Sequence, residues 1–207
     1  MNKIDALIKK LEHLQISEDG GIFRKGMFPS ERFHTFLPYV RKDSNIFFPA
    51  SIALILLKNI RYLDQKQSEK VNKIIHEIRS NYEFYSNSKY NYLYNFYQTK
   101  PDHHYPNGFI LSKFKHFILA DDADCTAIIS MTLDNHSMNR VDMIREKLVQ
   151  FSNLQQKKIE GVDSVYAELN FYATWFGSGK MPIELEVCVL CNILIFTFTK
   201  NVTLNLQ

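Results

Sequence analysis

The stretch Leu119–Leu133, LADDADCTAIISMTL, places three aspartates at the start of an almost wholly apolar segment. A helix is stabilised by one capping side chain and by negative charge in its first turn. Asp121 or Asp122 alone could satisfy that need, so capping accounts poorly for all three acids, Asp124 included. The stretch therefore predicts a buried helix whose start is either an N-cap alone or a carboxylate site.

Length and composition fit an ordinary globular protein. The 207 residues are 45% hydrophobic and 23% charged, so the chain can bury a sizeable core and is predicted to form a single domain over residues 1–207. Net charge is only +3, and no run of five Lys or Arg residues occurs. Nucleic acid is therefore an unexpected partner.

Apolar residues recur at helical spacing along most of the chain, and the alternation typical of strands is hard to find. The first fifteen residues form an amphipathic pattern, and the segment from Ser68 carries an apolar stripe with Ser68 as its expected N-cap. Both patterns predict helices that lie at the outside of the fold. The stripe from Ser68 consists of Val71, Ile74, Ile75 and Ile78.

Three other segments form a loose repeat. DSNIFFPASIALIL from Asp43, DADCTAIISMTL from Asp122 and ELEVCVLCNILIF from Glu184 each begin with a carboxylate and then run apolar on all faces. A helix that is apolar all round must be buried, and a striped helix lies outside it. The alternation predicts an all-α fold, a partial or small α/α toroid of concentric inner and outer helices.

The cysteines and the termini indicate a cytoplasmic protein. Cys125, Cys188 and Cys191 all lie in apolar segments and are odd in number, which favours free buried thiols in a reducing compartment. The N-terminal segment lacks the apolar core and cleavage site of a signal peptide. The most apolar segment, Val187 to Phe198, is too short to span a bilayer, which takes about 20 residues.

With these three carboxylate-led segments, the chain resembles the α/α toroids of the terpenoid cyclase and protein prenyltransferase superfamily. Class II terpene cyclases carry Asp-x-Asp-Asp-Thr-Ala at the start of an inner helix, and residues 122–127 read Asp-Ala-Asp-Cys-Thr-Ala. Only Cys125 departs from that motif, because it stands where the family has a third acid. The segment Gln15–Phe23, QISEDGGIF, is similar to a degenerate Gln…Gly-x-Trp repeat of the same cyclases.

The resemblance implies a cyclase or isomerase that protonates an apolar, isoprenoid-type substrate and needs no metal or other cofactor. It makes Asp124 the general acid and Asp122 its partner. Such an acid must stay protonated near neutral pH, which requires crowding by like charge and an apolar surround. Cys125 removes one crowding partner. The resemblance further implies substrate contacts from Tyr105, Asp121, Thr126, Tyr172 and Trp175.

Structural alternatives stand beside each of these roles. The aspartates are also explained as N-caps, and each aromatic side chain is also explained as core packing. Carbocations are stabilised by aromatic faces, which is the reason to consider tyrosines and the tryptophan at all. Twelve helices of ordinary length need more than 207 residues. The toroid is therefore expected to be incomplete, truncated, or completed by a partner chain.

Two further constellations favour other interpretations. Cys188 and Cys191 form a CxxC without a second cysteine pair or nearby histidine, which predicts buried thiols more than zinc. Glu186-Val187-Cys188 is similar to the Asp-x-Cys zinc ligands of prenyltransferases, but no histidine follows it. His103 and His104 lie in a turn-like segment. The alternatives to a cyclase are thus a non-catalytic binding protein and, less well supported, a zinc-dependent prenyltransferase.

Overall fold

The computed structural model describes residues 2–33, 36, 40–100, 119–133, 138–152, 164–167, 171–177 and 186–203. The chain divides into two compact units. Unit 1 consists of Met1–Tyr85 and Tyr97–Ile118, and unit 2 of Ser86–Phe96 and Leu119–Gln207. The prediction of a single domain over residues 1–207 stays a prediction.

Unit 1 contains three α-helices and a β-hairpin, and unit 2 contains four α-helices among the residues described. The elements of unit 1 are α1 (Lys3–Leu14), β1 (Ser30–Phe33), β2 (Val40–Asp43), α2 (Phe47–Asn59) and α3 (Gln65–Arg79), with short 3-10 turns at Ile60–Tyr62 and Tyr82–Tyr85. Those of unit 2 are α4 (Ala123–Thr132), α5 (Met138–Gln150), α6 (Ser164–Ala167) and α7 (Val187–Thr199).

Helix α3 forms the centre of unit 1. Its apolar stripe, predicted from the sequence, is buried, and both α1 and α2 pack against it. The helix starts earlier than predicted: the Asp64 side chain caps it by accepting a hydrogen bond from the backbone amide of Gln67, and Gln67 Oε1 accepts one from the backbone amide of Asp64. This capping box satisfies two amides of the first turn, so Ser68 lies inside the helix.

The all-α prediction is wrong because the described residues include an antiparallel β-hairpin. Strands β1 and β2 pair in the register Ser30–Asp43, Arg32–Arg41 and Phe33–Val40. Their period-2 exposure pattern is carried by charged and polar side chains, SERF and VRKD, so it produces no apolar alternation. Asp43, at which the first of the three apolar segments begins, is the last residue of β2.

The toroid of concentric layers is also contradicted. Only α4 is buried along its whole length, as an inner helix should be. Helix α2 exposes Phe48 and Ile55, and α7 exposes Val187, Leu194 and Phe198. Two of the three predicted inner helices therefore have a solvent-facing side, and the described structure is mixed α and β. Cys188 and Cys191, predicted to be buried, are exposed on α7, while Cys125 is buried.

Unit 2 is built around α4. Helix α7 packs against α4, and α5 buries Val141, Ile144 and Leu148. Two extended segments, residues 86–96 and 171–177, bond to the chain where α4 begins. The amide of Asp122 donates to Tyr94 O at 2.8 Å, and the amide of Ala123 donates to Thr174 O at 2.9 Å. These bonds place the three aspartates between backbone segments from elsewhere in unit 2.

Candidate functional site at the start of helix α4

Asp122 is the N-cap of α4. Its Oδ1 accepts a hydrogen bond of 2.8 Å from the Asp124 amide, and the side chain is only 4% exposed. Burial raises its pKa to about 7, and the charge of Asp124 adds to that rise. Hydrogen bonds from Cys125 and from two backbone amides oppose the rise. The capping interpretation is thus met by Asp122, but with a carboxyl that still holds a proton near neutral pH.

Asp124 lies in the first turn of α4 and is 7% exposed. Its Oδ1 accepts a 2.7 Å hydrogen bond from Asn192 Nδ2, on α7. The pKa of Asp124 is raised to about 6, mainly by burial. The hydrogen bond from Asn192 opposes that rise, and the charge of Glu186 contributes to it. Unlike Asp122, this carboxyl has a side-chain amide from another helix as its partner.

Asp121 is partly buried just before the helix. Its Oδ2 accepts a hydrogen bond from Asn87 Nδ2 at 2.5 Å. Burial raises the pKa of Asp121, while the side chains of Asn87 and Asn95 counteract that rise. Its backbone carbonyl accepts from the amide of Phe176 at 2.8 Å. Asp121 therefore ties together the segments on both sides of the helix start.

Cys125, which stands where the resemblance expects a third acid, is fully buried. Burial raises its pKa well above the usual thiol range, and the charge of Asp122 adds to that rise. A neutral thiol at this position hydrogen-bonds the Asp122 side chain. The raised pKa of Asp122 therefore comes mainly from burial and needs no third carboxylate.

The predicted substrate contacts fall in different places. Thr126 is fully buried, and its Oγ1 accepts a 3.0 Å hydrogen bond from the Tyr94 amide. Trp175 pairs with Asp122 through a backbone bridge, so its side chain belongs to the segment beside the acids. Tyr172 is buried, its backbone pairs with Ser152, and burial raises its pKa. Tyr105 lies outside the described residues, as do His103 and His104.

The asparagines that bind the acids were not among the predicted site residues. Asn87 and Asn192 supply amide donors to Asp121 and Asp124, and Asn192 is 68 positions away from Asp124 along the chain. Asn95 donates to the carbonyls of Leu119 and Ala120 just before the helix. An isolated asparagine carries no motif, so no signal in one sequence could have found these partners.

Tyr94 and Arg140 form a second polar pair in unit 2. Arg140 Nη2 donates to the Tyr94 hydroxyl at 2.5 Å and to the carbonyl of Asn91 at 3.0 Å. Burial raises the pKa of Tyr94, although the charge of Arg140 opposes that rise. Since the backbone of Tyr94 also bonds Asp122 and Thr126, Arg140 fixes the segment that covers the start of α4.

The part of the chain that the structure describes brings together no three His, Cys, Asp or Glu side chains able to hold a metal ion. It also contains no helix with the length and apolarity needed to cross a membrane. Two open clefts, of about 240 and 310 Å³, lie in unit 1 near the C-terminal half of α3. Both are lined largely by charged and polar side chains.

Chemically, the arrangement is a pair of buried carboxyls that share the start of one helix. With pKa values of about 7 and about 6, Asp122 and Asp124 retain protons at pH values where ordinary aspartates are ionised. Groups with such values can donate or accept a proton near neutral pH. No family model, curated protein or solved structure matches the chain. The resemblance to terpenoid cyclases therefore stands on the motif residues alone.

Proposed function

We propose that this protein is an acid-catalysed cyclase or isomerase in which Asp124 protonates an apolar, isoprenoid-type substrate. The observation that carries the proposal is the raised pKa of both Asp122 and Asp124 at a buried helix start. A carboxyl that stays protonated in an apolar surround can donate a proton to an alkene near neutral pH, whereas an ionised surface aspartate has no proton to give.

Asp124 is the better proton donor of the two. Asp122 Oδ1 is engaged by the amide of its own helix, so its role is to hold the helix start and to share charge with Asp124. Asp124 is held from the side by Asn192, a neutral amide that can bond the carboxyl in either protonation state. Asn192 is thus the residue that orients the acid.

In the proposed step, the O–H bond of the Asp124 carboxyl breaks and a C–H bond forms at one alkene carbon, using the alkene π electrons. The resulting carbocation then loses a proton from another carbon to the Asp124 carboxylate, which restores the carboxylic acid, so the net reaction is an isomerisation. Aromatic faces stabilise such cations without reacting with them, and Trp175 lies on the segment that pairs with Asp122. Tyr172, three positions before Trp175 in the same segment, is the second aromatic candidate.

The test is deuterium incorporation. Purified protein is incubated in deuterated water with a panel of linear polyprenyl alcohols and diphosphates, and the products are analysed by mass spectrometry. Isomerised product that carries one solvent deuterium is expected, with Asp124→Asn reducing its rate by about 100-fold or more. Asp142→Asn, which changes a half-buried aspartate of α5 that pairs with Arg145, is the matched control and should leave the rate unchanged. Product formation that survives Asp124→Asn would remove Asp124 as the acid.

A second candidate is a non-catalytic binding or interaction protein. It is favoured by the observation that each acid already has a partner inside unit 2: Asn87 for Asp121, the helix amide for Asp122 and Asn192 for Asp124. On this alternative the cluster only joins segments. No product would form from any polyprenyl substrate, and Asp124→Asn would change stability alone.

A reducing, cytoplasmic location belongs to the same proposal. The three cysteines are free, and two of them are exposed on α7. Exposed unpaired thiols are usual where glutathione keeps cysteines reduced.

A further inference from the structure

The β-hairpin of unit 1 places two arginines directly opposite each other. Arg32 on β1 pairs with Arg41 on β2, and Ser30 pairs with Asp43 at the next position on the same face. Side chains directly opposite across an antiparallel pair are about 5 Å apart at Cβ and point to the same side of the sheet. All four of these side chains are less exposed than Glu31 and Lys42 on the other face.

Among the residues that the structure describes, the carboxylate on this face of the hairpin is that of Asp43. Arg32 Nε lies 3.4 Å from Asp43 Oδ1, and its guanidinium is 5.9 Å from the ring centre of Tyr97. Asp43 is itself held by Asn45 Nδ2 at 2.9 Å and by the Tyr97 hydroxyl at 3.1 Å. The charge of Asp43 thus lies next to Arg32, and the described strand residues of this face carry two positive charges and one negative charge.

Arg41 is the unsatisfied member of the pair. Among the residues that the structure describes, its Nη2 is buried and donates no hydrogen bond. Like charges directly opposite across a strand pair destabilise it, and a buried donor without an acceptor is also unfavourable. Both costs disappear when an anion lies between the two guanidinium groups and accepts from them.

We propose that Arg32 and Arg41 form a binding site for an oxyanion of the phosphate class. Guanidinium groups bind such anions through two parallel N–H···O bonds, and a phosphate offers enough oxygens to serve two arginines at once. A carboxylate has only two oxygens. The site lies in unit 1 and does not depend on the proton-transfer function proposed for unit 2.

Two sources can supply this chemistry: a soluble phosphate ester or a phospholipid headgroup. Phe33 and Val40 are exposed at the end of the hairpin, and Phe36 between the strands is 91% exposed. Apolar side chains beside basic ones are also typical of surfaces that contact anionic lipid. The experiment therefore includes both forms of the anion.

The test compares Arg41→Gln with Lys42→Gln, which removes the same charge from the neighbouring residue on the opposite face of β2. Binding of inorganic phosphate, of pyrophosphate and of phosphatidic acid vesicles is measured at constant ionic strength by calorimetry and by vesicle sedimentation. Wild-type protein is expected to bind at least one of these probes. Arg41→Gln should weaken that binding by about tenfold or more, and Lys42→Gln by no more than about twofold.

The outcomes separate the sources and can overturn the site. Binding of the free anions identifies a soluble ligand, and binding of the vesicles alone identifies the headgroup; both support an oxyanion between the arginines. Equal losses in the two variants would show a response to net charge only and would overturn the proposal. So would wild-type protein that binds none of the three probes. Circular dichroism of both variants confirms that the fold is retained.

Discussion

At Gly26, backbone conformation and packing both exclude any other side chain. Its φ is +85°, and a Cβ at this position would lie 2.3 Å from the carbonyl oxygen of Glu77 on α3. Its amide donates to the Ile16 carbonyl at 2.8 Å, so the residue closes the loop between α1 and the hairpin against α3. The absence of a side chain is therefore a condition for the packing of unit 1.

Three glycines of this loop form a graded series for mutation to alanine. Gly26→Ala is expected to lower the free energy of unfolding by about 2 kcal/mol or more, because strain and a backbone clash add. Gly21→Ala should cost about 1 kcal/mol, since φ is +61° but the space around it is open. Gly20→Ala, with open space and no positive φ, should stay within about 0.5 kcal/mol. Denaturant titrations followed by far-UV circular dichroism measure the series, and equal costs at all three positions would contradict it.

For the three aspartates at the start of α4, neighbouring residues determine one part of the arrangement and the rest of unit 2 determines the other. That a carboxylate would cap α4 was predictable, because an N-cap depends only on neighbouring residues. Which acid caps, and which is turned toward α7, depends on Asn192 and on the segments that cover the helix start. The raised pKa values follow from burial, and burial depends on the whole of unit 2.

At the scale of elements, α3 was predicted well and the hairpin was missed. The α3 stripe repeats at helical spacing and is apolar, so one sequence reveals it. The strands SERF and VRKD alternate between half-buried and exposed positions, but the half-buried side chains are Ser, Arg and Asp. Because the half-buried face of the hairpin is polar, the sequence shows no apolar alternation there, and it therefore predicts an all-α fold.

For helix α7 the sequence predicts more burial than the structure has. Its thirteen residues contain no charge, so the sequence predicts burial on all faces, yet Val187, Leu194 and Phe198 are exposed. Composition alone cannot tell which side of an uncharged helix meets the core. Only the packing against α4 distinguishes the two sides.

Two phenylalanines two positions apart on α7 test this assignment of faces. Phe196 is 0% exposed and Phe198 is 88% exposed. Phe196→Ala should lower the free energy of unfolding by about 3–5 kcal/mol, because it removes a buried ring and leaves a cavity. Phe198→Ala, the same substitution at the surface, should change it by less than about 0.5 kcal/mol.

The single tryptophan of the chain, Trp175, lies in unit 2, so its fluorescence reports the unfolding of the unit that contains both rings. Comparable losses in the two variants would mean that the exposed face of α7 is covered in solution. A large loss for Phe198→Ala alone would reverse the assignment of faces.

At the scale of the whole molecule, the two units contain different groups of charged side chains. Unit 1 has the arginine pair of the hairpin, and unit 2 has the buried carboxyls of α4. The carboxyls make the stability of unit 2 depend on pH in an unusual direction. Ordinary paired aspartates have lowered pKa values and lose their stabilising effect in acid, whereas Asp122 and Asp124 have raised values.

The sign follows from proton binding. Between pH about 4 and about 7 the folded Asp122 keeps its proton while the unfolded one has lost it, so folding takes up protons and stability falls as pH rises. One pKa unit corresponds to about 1.4 kcal/mol, which makes the contribution of Asp122 roughly 4 kcal/mol at most. Asp124 adds a smaller contribution over a narrower range, because its pKa is raised only to about 6.

Unit 2 is therefore expected to be more stable at about pH 5 than at about pH 8, with most of the loss between those values. Asp122→Asn removes the titrating group but keeps a side-chain oxygen that caps α4, so it should flatten this dependence and preserve the fold. Asp142→Asn, at a half-buried position of α5, should leave the dependence unchanged. Denaturant unfolding followed by Trp175 fluorescence across this pH range gives the comparison. A slope that Asp122→Asn leaves intact would mean that Asp122 is ionised in the folded protein over this pH range, which would contradict the raised pKa of that carboxyl.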